Sequence, residues 1–126
     1  MCFNLYMYTA TVLDHFNSPR NTGELENADV TVEHSNPACG DRLRMQLKFT
    51  DGRISAMRYK VKGCTPSYAC ASVLSEMVIG KSPEDAMLFT PEMVVEALGG
   101  LMPGSVHASH LAAETLHEAI MEYTKK

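Results

Sequence analysis

Leu43, Met45, Leu47 and Phe49 alternate with Arg42, Arg44, Gln46 and Lys48, and Asp51-Gly52 then turns the chain into Ile54, Ala56 or Met57, Tyr59 and Val61. This stretch constrains the fold more than any other. A period of two puts the apolar set on one face of an extended chain and the polar set on the other. Asp-Gly supplies the left-handed backbone that a tight hairpin turn needs. A half-buried β-hairpin follows, and something apolar must cover its inner face. Upstream, Val30 and Val32 share one face while Asp29, Thr31 and Glu33 share the other, which predicts a further strand from Ala28.

The rest of the chain reads as the cover. Between Tyr8 and Phe16, Val12, Leu13 and Phe16 have one-faced helical spacing, and Ser18-Pro19-Arg20-Asn21 ends that helix because Pro19 cannot continue it. Asn21 to Asn27 is a polar connection. After Cys64 the period turns helical through Tyr68, Ala71, Val73, Leu74, Met77 and Val78, with Gly80 as the stop. Ser82-Pro83-Glu84-Asp85 and Thr90-Pro91-Glu92 each open a helix with a hydroxyl cap, a proline at the first position and acid in the first turn. A last helix runs from about Val106 to Tyr123, with Leu111, Thr115 and Ile120 on its inner side. The expected class is α+β, in the order α-β-β-β-α-α-α-α: a three-stranded, mainly antiparallel sheet packed against helices. Residues 1–126 read as a single domain.

Composition excludes several functions. Net charge is −4, Lys and Arg read as spread along the chain, and no basic stripe with interleaved aromatics points to nucleic acid. No apolar run approaches the roughly 20 residues that span a bilayer, and Met1-Cys2-Phe3-Asn4-Leu5-Tyr6 lacks a basic leader. Four cysteines, Cys2, Cys39, Cys64 and Cys70, are then expected to be reduced thiols in a cytoplasmic protein. Such thiols suit metal or sulfur chemistry better than a disulfide framework. The nine methionines are scattered and read as gap-fillers.

Two of those thiols stand in glycine-marked turns, in Asn36-Pro37-Ala38-Cys39-Gly40-Asp41 and in Gly63-Cys64-Thr65. Asp41 adds a carboxylate two residues beyond the first thiol, and Val106-His107-Ala108-Ser109 offers an imidazole, with His110 nearby as a competitor. Thiolate, carboxylate and imidazole together make a metal site. On spacing alone, Cys39 and Asp41 read equally as a plain turn in which the carboxylate bonds backbone amides. Cys64 reads either as a small buried hydrophobe or as a thiol whose pKa the following helix N-terminus lowers. Cys2 lies near the N-terminus and reads as incidental.

Taken in order, these segments resemble the NifU/IscU-type iron–sulfur cluster assembly scaffolds. The likeness covers nearly the whole chain, including Asp14-His15-Phe16-Asn17-Ser18-Pro19-Arg20-Asn21, which carries no chemistry and in which Arg20 reads as a loop anchor. It implies a metal and cluster site of Cys39, Asp41, Cys64 and His107. The family's third segment carries His-Cys, whereas here Ala108, read as lying near the exposed start of the last helix, follows His107 and the third thiol is absent. Cys70 is the one substitute thiol, if the helix start unwinds; otherwise it is a small residue packing helix on sheet. A second departure is Leu101-Met102-Pro103-Gly104-Ser105, which lacks the Lys of the family's Pro-Pro-Val-Lys chaperone segment. Docking to a dedicated Hsp70-type chaperone is therefore not expected.

The resemblance implies a carrier rather than an enzyme. Such a scaffold takes sulfur from a cysteine desulfurase, holds iron or a transient [2Fe–2S] cluster, and delivers it to apo iron–sulfur proteins. The mixed S, S, O, N donor set also suits Zn²⁺. Two alternatives stay open at this point: a zinc-dependent sulfur acceptor of the same superfamily, and a divergent member with only a structural metal or none.

Overall fold

The computed structural model describes residues 8–36 and 40–125. Its elements run α1 (Ala10–Asn17), β1 (Val30–Ser35), β2 (Arg42–Thr50), β3 (Arg53–Lys62), α2 (Thr65–Val78), α3 (Pro83–Ala86), α4 (Pro91–Ala97), a 3-10 turn at Pro103–Ser105 and α5 (His107–Thr124). The expected α+β order holds. The three strands pair in the order β1-β2-β3, all antiparallel. Thr50 pairs with Arg53 across a two-residue turn in which Asp51 has φ 54° and Gly52 φ 77°. Two successive positive φ values match the right-handed twist of the flanking strands, and Asp with Gly is the pair that tolerates them.

One detail of the hairpin was ambiguous in sequence and is resolved by a bulge. Lys48 pairs with Ala56 but Phe49 pairs with Ile54, so β3 carries one extra residue there. The alternation resumes one step late, and Ile54, Met57 and Tyr59 all point inward, each no more than 1% exposed. Ala56 is thereby moved off the inner face.

The inner face, Leu43, Met45 and Leu47 with Met57 and Tyr59, is covered by α2 and α5. Each fully buried Leu, Met or Ile contributes about 2 kcal/mol through apolar area removed from water. α5 lies across β1 and β2. His34 on β1 faces Glu114 and Glu118 on α5, with Nε2 at 3.4 Å and Nδ1 at 3.1 Å from their carboxylates. At the other end Tyr123 stacks on Phe49, ring centroids 3.7 Å apart and nearly parallel. Ser82 and Thr90 cap α3 and α4, their side chains accepting from Asp85 N–H and Met93 N–H.

The Asp14-to-Asn21 segment fastens α1 to α2. Buried His15 Nδ1 lies 2.7 Å from Ser72 Oγ, which also accepts from the Arg20 backbone N–H at 2.9 Å. Arg20 holds Asp14 at 2.7 Å, and Asn21 Nδ2 donates to Ser75 Oγ at 3.0 Å. These contacts match the anchoring role read for Arg20.

The cations are less evenly distributed than the sequence suggested. Arg42 and Arg44 lie on the outer face of β2, opposite Lys62 and Lys60 of β3, which sets like charges directly across the ladder. Glu24, in the polar connection, relieves part of this by reaching Arg44 at 2.9 Å and Lys60 at 3.1 Å. The Lys60 hydrogen bond is the main reason its carboxyl titrates below the usual range. Among the described residues no helix is long and apolar enough to cross a membrane.

Candidate metal centre

Loop geometry brings the chemistry to one end of the sheet. Asn36 N–H donates to the Asp41 carbonyl at 2.9 Å, and Gly40 N–H donates to the Asn36 carbonyl at 2.7 Å. These bonds hold Asp41 at the mouth of β2 with its side chain turned inward, 7% exposed. Lys62, the last residue of β3, is the cross-strand partner of Arg42. Gly63 and Cys64 therefore leave the sheet beside Asp41. His107 opens α5 at the same end. One ligand atom each from Asp41, Cys64 and His107 lies within 4.8 Å of the other two. Cys39, the fourth expected ligand, lies outside the described residues, as does Cys2.

Gly63 owes its identity to this approach rather than to its backbone angles. A Cβ built there would sit 2.6 Å from Asp41 Cγ and 2.7 and 3.0 Å from the two carboxylate oxygens. Only a residue without a side chain lets the carboxylate lie so close.

Cys64 caps α2 in an extended conformation, φ −98° and ψ 175°, and its carbonyl accepts from Ser67 N–H and Tyr68 N–H at 3.0 and 3.2 Å. Its Sγ lies 3.4 Å from Asp41 Oδ2 and 3.5 Å from Ser67 Oγ. Ser67 Oγ donates to the same Asp41 Oδ2. The expectation of a lowered thiol pKa is overturned. Cys64 is exposed as a residue, but partial desolvation of its sulfur pushes the thiol up; hydrogen bonds from Ser67 pull it down, and the Asp41 carboxylate pushes it up again. Desolvation and a carboxylate in contact outweigh the helix terminus. As a thiol, Cys64 donates to Asp41, and an incoming cation must displace that proton.

His107 is half-buried, and its Nε2 is buried with no hydrogen-bond partner among the described residues. An orphaned ring nitrogen is costly inside a protein. A metal ion held by imidazole, carboxylate and thiolate would satisfy it, and that mixed N, O, S set suits zinc or ferrous iron. His110 does not belong to this group.

Two sequence readings need correction or restriction. Ala108 does not lie at an exposed helix start: it is 1% exposed and packs into the main core. The second residue of α5 faces the sheet while the first faces the site, as the 100° step of a helix requires. Cys70 is fully buried, and burial pushes its thiol well above the ordinary range. It packs in the core as the small residue between helix and sheet and lies outside the converging group.

Ser67 was missed. Its signal was present: it stands three residues after Cys64, at the third position of α2, where a side chain folds back toward the cap.

The model of the NifU-like N terminal domain matches residues 7–126. The chain belongs to that family. It is 42% identical over 120 residues to iron-sulfur cluster assembly scaffold protein IscU 1 of Archaeoglobus fulgidus, a match covering 95% of this chain and 78% of that protein. Against the scaffold protein IscU of Escherichia coli K12 the identity is 37% over 123 residues, covering 94% of this chain and 95% of the relative. Among solved structures, a crystal structure of a hypothetical protein superposes with a TM-score of 0.75 at 32% identity, over 92% of this chain and 98% of the other. The NifU-like assignment made on sequence motifs therefore stands, and so does the α+β fold.

Proposed function

We propose that this NifU-like chain is an iron–sulfur cluster assembly scaffold that binds iron or a transient [2Fe–2S] cluster at Asp41, Cys64 and His107, with Cys39 as the fourth ligand. The observation that carries the reading is the meeting of carboxylate, thiol and imidazole donors within 4.8 Å, in a chain 42% identical to a named scaffold. The chemistry fits a carrier. A site with few thiolates, one carboxylate and one imidazole holds soft iron–sulfur cargo less firmly than an all-thiolate site. That weakness suits a protein that must give up what it assembles. Sulfur would arrive as a persulfide from a cysteine desulfurase, and the cargo would leave for apo iron–sulfur proteins. Free thiols of this kind persist in a reducing compartment such as the cytoplasm. Zn²⁺ fits the same donors and is a convenient probe of the site.

Anaerobic reconstitution with ferrous iron and sulfide tests the proposal. Visible sulfur-to-iron charge-transfer absorption is expected in the natural chain and in Cys70→Ala, and not in Cys64→Ala or Cys39→Ala. Cluster absorption that survives loss of Cys64 would contradict the assignment.

A further inference from the structure

We propose that Ser67 is a positioning residue for the metal centre: its hydroxyl fixes the Asp41 carboxylate through Oδ2 and so keeps the other carboxylate oxygen turned to the metal. The inference deepens the scaffold reading and rests on it.

Ser67 and Asp41 are both buried, at 4% and 7% exposure, on segments far apart in sequence. Ser67 Oγ donates to Asp41 Oδ2, and Cys64 Sγ lies 3.4 Å from that same oxygen. Those two side chains supply the hydrogen-bond donors shown at the carboxylate, and no Lys or Arg pairs with it among the described residues.

The donors differ in what metal binding does to them. A ligating cysteine is a thiolate and has no proton to give. Once Cys64 binds a metal, its bond to Asp41 is lost and Ser67 is the side chain left holding Oδ2. Without it the terminal torsion of Asp41 is free, because rotation about an sp³–sp² bond has broad minima. Gly63, where an added Cβ would stand 2.7 Å from Oδ2 and 3.0 Å from Oδ1, has no side chain to lock the carboxylate in place. Hydrogen bonds to ligating carboxylates orient them, and removing such a partner weakens metal affinity by about 10- to 100-fold.

The test measures Zn²⁺ affinity by competition with a chromophoric chelator, and the absorption bands of the Co²⁺-loaded protein. Ser67→Ala is expected to weaken Zn²⁺ about 10-fold or more and to shift the Co²⁺ bands. Ser67→Thr keeps the hydroxyl and is expected to restore both. In an Asp41→Ala background, Ser67→Ala is expected to have no further effect, a result that a purely structural serine would not produce. If Asp41→Ala weakens Zn²⁺ but Ser67→Ala leaves affinity and bands unchanged, the positioning role is wrong and the metal centre stands. If Asp41→Ala changes neither, the centre itself is wrong, and the role of Ser67 falls with it.

Discussion

One methyl group at Gly63 is expected to disable the site without unfolding the chain. In Gly63→Ala the new Cβ would stand 2.6 Å from Asp41 Cγ, whereas ordinary contact begins at 3.4 Å, so the carboxylate must retreat by about 0.8 Å. The Asp41 backbone is tied to Asn36 at 2.9 Å and cannot follow easily. The side chain therefore rotates, away from Ser67 and Cys64. Two effects oppose each other in stability. Overpacking costs about 1–3 kcal/mol, and loss of a buried hydrogen bond adds about 1 kcal/mol. Alanine restricts the unfolded chain and returns about 0.4–1 kcal/mol, since Gly63 does not need a positive φ. The steric term wins, leaving a net loss of about 1–4 kcal/mol. Metal affinity falls as well, about 10- to 100-fold, because a ligand loses its orientation. The control is Gly104→Ala, where a Cβ meets nothing within 4 Å and no positive φ is required. Thermal melts and Zn²⁺ titrations of both variants decide the matter. If Gly63→Ala behaves like Gly104→Ala in both, Asp41 does not depend on that close approach.

Metal should stabilise the native state, because the unfolded chain lacks the assembled site; with free Zn²⁺ at 100 times its dissociation constant the gain is about 2.7 kcal/mol, read as a rise of about 10 °C in Tm, and Cys64→Ala should remove most of it. Ala108→Cys restores a third thiol beside His107, but in a buried position, so it should cost about 1 kcal/mol of stability while lengthening the lifetime of a reconstituted cluster; an unchanged lifetime would mean the new thiol stays in the core. The buried His15 has a pKa below its ordinary 6.5, chiefly because burial disfavours the imidazolium, with Arg20 adding to the effect and Glu76 and Asp14 opposing it. Its contribution is therefore present above pH 6.5 and lost as pH falls toward the depressed folded value; melts between pH 8 and pH 5 should show that loss, and His15→Gln should flatten it.

Much of this molecule was legible because its local signals agree. The Arg42-to-Val61 alternation and the Asp51-Gly52 turn specify a hairpin on their own, and Ser82, Thr90 and the prolines after them mark helix starts that the structure keeps. What escaped depends on three-dimensional neighbours. Nothing between Ile54 and Met57 announces a bulge, because the extra residue is defined only by the partner strand. The Cys64 thiol was read from its helix alone, yet partial desolvation of its sulfur and Asp41, 23 residues away in sequence, reverse the direction of its shift. Ala108 was judged by its place in the helix rather than by the face it occupies. The cross-strand pairing of Arg42 with Lys62 and of Arg44 with Lys60 was hidden in a net charge of −4. Asp41 and Cys64 were singled out because their glycine-marked motifs resemble the family's, spacing alone leaving a plain turn and a buried thiol equally open, whereas Ser67 looks like any serine in a helix.

Transfer to an acceptor tests the scaffold account most directly, since holding a cluster and giving it up are separate properties. The natural chain is loaded with iron and sulfide without oxygen, separated from free ions and mixed with an apo-ferredoxin that takes a [2Fe–2S] cluster on four cysteines. Absorption and circular dichroism follow both proteins. The account predicts that the acceptor's spectrum grows as the chain's own disappears, and faster than with the same iron and sulfide free in solution. A cluster that stays on the chain, or an acceptor that fills no faster than from free ions, would contradict it.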